Sequence, residues 1–225
     1  MALRRARIKA KGNVAYYHCI SGVVNRAYVL GEVEKEAFVK IMRRYEAFCG
    51  VRVVTYCVMS NHFHVLVEVP ERPPKDREPS DEELVALVKK AKMVYGFGTL
   101  KQDLERFRAE GQHEAAEALR ERFLSRMWDV SWFIRLVKQR FSMWYNKQNR
   151  RSGTLWEERF KSVLVEEGNA LRTMAGYIDL NPIRAGLVEL PEDYRWSGYS
   201  EALAGSRRAR CGLKEVVGMR RDDWN

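Results

Sequence analysis

The chain lacks the features that mark several common classes. Its four cysteines, Cys19, Cys49, Cys57 and Cys211, form no C-x-x-C pair, which excludes a zinc ribbon and a thioredoxin-like motif. Cys19, Cys49 and Cys57 sit among apolar neighbours, where a reduced thiol acts as a small hydrophobe, and a cytoplasmic protein is expected. No window approaches ~18 uninterrupted apolar residues, and no apolar segment of leader length follows the basic N-terminus, so no membrane partner is expected. Acidic residues are in deficit, 30 against 40 Lys and Arg, for a formal charge of +10. That balance favours a polyanionic partner such as nucleic acid over an acidic small molecule. Histidine is scarce too: of four in 225 residues, His62 and His64 stand two apart.

Those two open the second of two apolar, β-branched runs, Val53–Val58 and His62–Val69, separated by Met59-Ser60-Asn61. The pattern predicts an antiparallel hairpin. Successive strand side chains point to opposite faces, so Phe63, Val65, Val67 and Val69 form a core face, and His62, His64, Leu66 and Glu68 share the other. Two imidazoles so placed can reach one divalent ion, although a half-exposed polar edge has the same pattern. Glu68 is either an outer support of such an ion or a solvated strand end.

Before the hairpin, Arg4, Arg5 and Arg7 belong to a basic arm suited to phosphate contacts. Residues 14–20 read as a first strand, and Phe38, Ile41, Met42, Tyr45 and Phe48 as the stripe of a helix over 33–49 ending at Gly50. Strand, helix, strand, strand predicts an α+β, ferredoxin-like antiparallel sheet with helices on one face. Residues 1–69 and 128–190 read as one unit, 70–127 as a helical insertion after a Pro-rich boundary, and 191–225 as a C-terminal extension. Within the insertion, Ser80 to Glu83 read as a capping box, and 102–127 as one charged helix without chemistry.

A helix over 131–149, with Phe133, Leu136, Val137, Phe141 and Trp144 on one stripe, ends in the basic turn Lys147, Arg150 and Arg151 beside aromatic residues. A further strand follows Arg159 and Lys161, and then a helix whose buried stripe is Leu171, Met174, Ala175 and Ile178. Tyr177 and Asn181 lie off that stripe, one turn apart, and Pro182 is expected to stop the helix. The helical wheel places Tyr145, like Tyr177, on a helix flank and does not separate the two.

Tyr17-His18, Met59-Ser60-Asn61-His62-Phe63-His64, Gly153 to Ser162, and Tyr177-Ile178-Asp179-Leu180-Asn181-Pro182 through Leu187 together resemble the HUH single-tyrosine transposases. More closely, they resemble the REP-associated branch. The resemblance implies metal-dependent nicking and strand transfer on single-stranded or hairpin DNA through a 5′-phosphotyrosyl intermediate, by a monomer or homodimer. It makes Tyr177 the nucleophile and His62, His64 and Asn181 the ligands of Mg²⁺ or Mn²⁺. Arg4, Arg5, Arg7, Lys147, Arg150, Arg151, Arg159 and Lys161 would contact DNA, and His18 would contact DNA or support the metal site. Two departures stand out: relatives commonly have glutamine at the place of Asn181, and an arginine where Gly22 stands. The alternatives are a non-catalytic nucleic-acid-binding module of the same fold and a metal-dependent phosphohydrolase in which water attacks.

Overall fold

The structure is a computed structural model, which describes residues 14–93 and 97–218, with backbone alone for 97–99. The basic arm with Arg4, Arg5 and Arg7 lies outside the described residues. In chain order the main elements are β1 (Val14–Gly22), α1 (Glu32–Cys49), β2 (Arg52–Val58), β3 (His62–Pro70), α2 (Asp81–Lys90), α3 (Phe97–Ala109) and α4 (His113–Leu124). They continue as α5 (Val130–Gln148), β4 (Lys161–Val165), α6 (Asn169–Asp179), α7 (Asn181–Arg184), α8 (Gly198–Leu203) and α9 (Arg207–Val217).

The strands form one antiparallel sheet in the order β2-β3-β1-β4. This is the ferredoxin-like α+β class expected from the sequence. β3 is an interior strand, flanked by β1 and β2, so its histidine pair does not lie on a sheet edge.

Alternation along β3 divides the interior. Phe63, Val65 and Val67 enter a core with α1 and α5, where the Phe63 ring lies 4.7 Å from Phe38 and 5.4 Å from Trp156. Each tilted or edge-to-face aromatic pair adds about 0.5–1.5 kcal/mol beyond its buried area. The expected stripe of α1 is buried, and so is that of α5 apart from Trp144, which is only partly buried while Tyr145 enters the core; Asp129 caps α5 by accepting from the amides of Ser131 and Trp132. α2 starts with the Ser80/Glu83 capping box read from the sequence. The single helix expected over 102–127 is instead two, α3 and α4, because Gly111 takes a left-handed φ of 67° between them. Leu104, Ala116 and Phe123 from these helices are buried in the same core as the sheet.

Helices cover the other face of the sheet as well, so the expectation of helices on one face was too narrow. Leu171, Ala175 and Ile178 of α6 and Val216 of α9 pack on Val54, Cys57 and Leu66. α9 crosses β2 closely at Gly212, where a Cβ would collide with the Val54 carbonyl. Residue 54 is the extra residue of a β2 bulge, since Val53 pairs with Val67 and Thr55 with Leu66. Ser197 and Ser206 cap α8 and α9 and α9 is amphipathic, but its buried face is Ala209, Gly212, Lys214 and Val216 rather than a stripe of large apolar residues, so the cover is hard to read from apolar periodicity. Pro182 does not end the helical path either: after α6 the chain turns through Leu180 into α7, with the proline in its first turn, where its missing N–H costs nothing.

Candidate active site

β3 presents His62 and His64 on the second face, and β1 adds His18. In the register His64 faces Ile20 and His18 faces Leu66, so the two histidines are diagonal neighbours on one face. Their rings stack at 5.2 Å with 12° between planes, and His18 Nε2 lies 3.0 Å from His64 Nδ1. Both are 4% exposed. Burial lowers the His18 pKa to about 4; burial, then the neighbouring His62 and His18, lowers that of His64 to about 3. His62 is also lowered by burial. At neutral pH all three rings are therefore neutral, the form in which imidazole binds metal.

Hydrogen bonds select the tautomers. The Asn61 Nδ2 donates to the Arg26 carbonyl at 3.1 Å, which identifies the other amide atom as the oxygen. That oxygen, 2.6 Å from His62 Nδ1, can only accept, so Nδ1 carries the proton and Nε2 keeps its lone pair. For His64 to offer Nε2 likewise, its Nδ1–H must donate to His18 Nε2. His18 then acts as the orienting partner that metal-binding histidines usually have.

Tyr177 arrives on α6 from 113 residues beyond His64. Its ring lies 5.9 Å from that of His64 and 6.1 Å from that of His18, both edge-on, and it is 37% exposed. The Arg184 guanidinium sits 4.8 Å above the same ring. Tyr145 lies elsewhere: it is buried in the α1/α5 core, 6.2 Å from the Phe141 ring. Asn181 donates its Nδ2 to the Tyr177 carbonyl at 3.0 Å, leaving Oδ1 as the atom able to act as a ligand.

Among the described residues no group of three or more His, Cys, Asp and Glu is arranged to hold a metal. Two neutral imidazoles with free Nε2 atoms nevertheless fit a divalent ion whose other positions are taken by oxygen donors. Glu68 is neither of the things expected of it. It lies near the far end of β3, buried, with its carboxylate 3.0 Å from the Arg52 guanidinium.

The basic candidates divide into two groups. Arg159 and Lys161 line a groove of about 1200 Å³ that also includes His62 and Asn61. Its wall is tied to the scaffold by Lys138, which donates to Ser21 Oγ at 2.6 Å and to the Glu158 carbonyl at 3.1 Å. Lys147, Arg150 and Arg151 are exposed at the end of α5, where Arg151 donates to the Thr154 carbonyl and lies 5.7 Å from the Tyr145 ring. Asn61 and Arg184 were missed as candidates, although both lie inside the motifs quoted above. An amide immediately before a His-x-His strand was the available signal for Asn61.

A sheet carrying His-x-His, with a tyrosine brought to it by a downstream helix, is the arrangement that the likeness to single-tyrosine transposases implies. Residues 12–75 match the family model described as transposase, IS200-like. More particularly, the chain is similar in structure to a REP-associated tyrosine transposase bound to a REP hairpin, with a TM-score of 0.57 and 16% identity over 100% of this chain and 92% of that one. A putative transposase from Deinococcus radiodurans R1 aligns at a TM-score of 0.35 and 15% identity over 78% of this chain and 96% of that one. No curated protein sequence matches the chain. The resemblance read from the sequence is borne out: the first structural likeness speaks for the fold, and the family match supports a transposase-type enzyme. Among the described residues no helix is long and apolar enough to cross a membrane.

Proposed function

We propose that the chain nicks and rejoins hairpin-forming single-stranded DNA through Tyr177. The observation that carries this reading is the convergence of the Tyr177 ring with His64 and His18 on one sheet face, from elements far apart in the chain. The Tyr177 oxygen attacks phosphorus, the P–O3′ bond breaks, and the phenolic proton is given up as the 3′-hydroxyl is released. The DNA 5′-phosphate stays on the tyrosine, and the stored phosphodiester permits rejoining to a new 3′-hydroxyl.

His62 and His64 would hold Mg²⁺ or Mn²⁺ through Nε2, with Asn181 Oδ1 as a further ligand. Such an ion, when bound, supplies charge neutralisation and in-line orientation of the phosphate. His18 holds the His64 ring in the required tautomer, and Asn61 does the same for His62. Arg159 and Lys161 bind the DNA backbone along the groove, and Lys147, Arg150 and Arg151 extend that surface. In this reading 1–69 and 128–190 form the catalytic unit, with 70–127 as insertion and 191–225 as extension.

The test is incubation with single-stranded hairpin oligonucleotides and Mn²⁺, followed by a denaturing gel. A slow-migrating covalent band, abolished by EDTA and by His62→Ala/His64→Ala while hairpin binding persists, is expected. Cleavage without a band would make water the attacking group, and binding without cleavage would reduce the chain to a binding module.

A further inference from the structure

The connection from β1 to α1 is held in a conformation that the sheet itself does not require. Asn25 and Arg26 both adopt left-handed φ, 56° and 53°, which side chains other than glycine rarely take in succession. Neighbouring strands and loops hold it there: Val23 N donates to the Asn61 carbonyl at 2.8 Å, Val24 N to that of Leu155 at 3.0 Å, and Leu30 N to that of Ser60 at 2.9 Å. Asn61 adds its side-chain bond to the Arg26 carbonyl while its other amide atom orients His62. One side chain thus fixes both the turn and the histidine.

The turn displays two side chains in the groove shared with His62, Arg159 and Lys161. Tyr28 is 83% exposed, the highest value among the large hydrophobic residues described. Arg26 is exposed, and among the described residues it forms no ion pair. An aromatic ring left in water forgoes the gain of burial, whereas in a basic groove the same ring offers a face on which any base can stack. A guanidinium without a carboxylate partner suits a backbone phosphate.

Building on the nicking reading above, we propose that this turn is a subsite for one nucleotide flanking the scissile phosphate. Tyr28 stacks on the base, Arg26 meets the adjoining phosphate, and Asn61 keeps the subsite in register with His62. Because stacking needs only a π-face, the subsite selects an unpaired nucleotide over a paired one rather than one base over another.

The test measures affinity by fluorescence anisotropy for a hairpin oligonucleotide with four-nucleotide single-stranded flanks, and for the same oligonucleotide with an abasic site at each flank position in turn. Tyr28→Ala should bind about tenfold more weakly at unchanged melting temperature, and Tyr28→Phe like the parent protein. At one flank position the abasic site should cost the parent protein about tenfold and cost Tyr28→Ala nothing further, the non-additivity of a direct contact. Arg26→Gly keeps the left-handed turn and should lower the salt-dependence slope by about 0.7, one single-strand phosphate contact. Parent-like affinity of Tyr28→Ala, or losses that add at every position, would overturn the subsite. The covalent-band assay on the unmodified chain reads nicking separately, so a protein that passes the binding test and forms no adduct contradicts the nicking reading alone.

Discussion

The two faces of the sheet differ in what one strand gives them. Toward α1 and α5, β3 contributes Phe63, Val65 and Val67 to an apolar core continuous with α2, α3 and α4. Toward α6 and α9 it contributes His62 and His64 beside Leu66, under a smaller apolar cover that leaves Tyr177 partly exposed. In the proposed reading, neighbouring residues in sequence serve different ends, stability on one side and chemistry on the other. Substitutions one residue apart should separate them.

The largest expected effect is on the first face. Phe63→Ala removes a fully buried ring packed on Phe38 and Trp156, and should cost about 3–5 kcal/mol by denaturant unfolding. His64→Ala, one position on, should cost less, about 1–3 kcal/mol, since it removes one neutral hydrogen bond to His18 and edge contacts to His62 and Tyr177 rather than the centre of an apolar core. Equal losses at the two positions would erase the distinction between the faces.

A pH effect comes next, and it belongs to the second face. Asp179 is the last residue of α6, where burial raises its pKa to about 7 despite the bond it accepts from Thr55 Oγ1 at 2.7 Å. Because the folded carboxyl holds its proton more tightly than the unfolded one, its contribution is full below about pH 4. It is lost as pH rises towards 7. Asp179→Asn keeps the acceptor and removes the titration. The variant should gain on the parent protein between pH 5 and 8, by about 2–4 kcal/mol, and the two should converge near pH 4. Parallel stability profiles would show that Asp179 titrates normally.

The smallest effect concerns the two basic groups. Neutralising Arg159 and Lys161, which line the His62 groove, should lower the salt slope of hairpin binding by about 1.4, two single-strand phosphate contacts. Neutralising Lys147, Arg150 and Arg151 should lower it by less per residue, because Arg151 is already bonded to the Thr154 carbonyl. The reverse order would move the DNA path from the groove to the end of α5.

Much of this division was legible in the sequence because alternation of period two is a local signal. Phe63 and Val65 against His62 and His64 needed only that rule, and the place of Tyr177 off the α6 stripe needed only the wheel. What the sequence left undecided depended on register and on distant packing. The wheel treated Tyr145 and Tyr177 alike, and only the fold buries one beside Phe141 and brings the other to His64. The His18 to His64 contact follows from a diagonal across β1 and β3, which no single strand encodes. Glu68 looked like part of the histidine face, yet distance along the strand and Arg52 give it a structural partner. Asn61 was hidden because its function lies in joining two segments that meet only in the folded chain.

The central claim is that Tyr177 carries the reaction, and adduct formation by Tyr177→Phe and Tyr145→Phe on one hairpin oligonucleotide tests it most directly. Tyr177→Phe should bind the hairpin with near-unchanged affinity and yield no covalent band, since only the attacking oxygen is lost, while Tyr145→Phe keeps its packing and the band. A covalent band that persists in Tyr177→Phe and disappears in Tyr145→Phe would contradict the account.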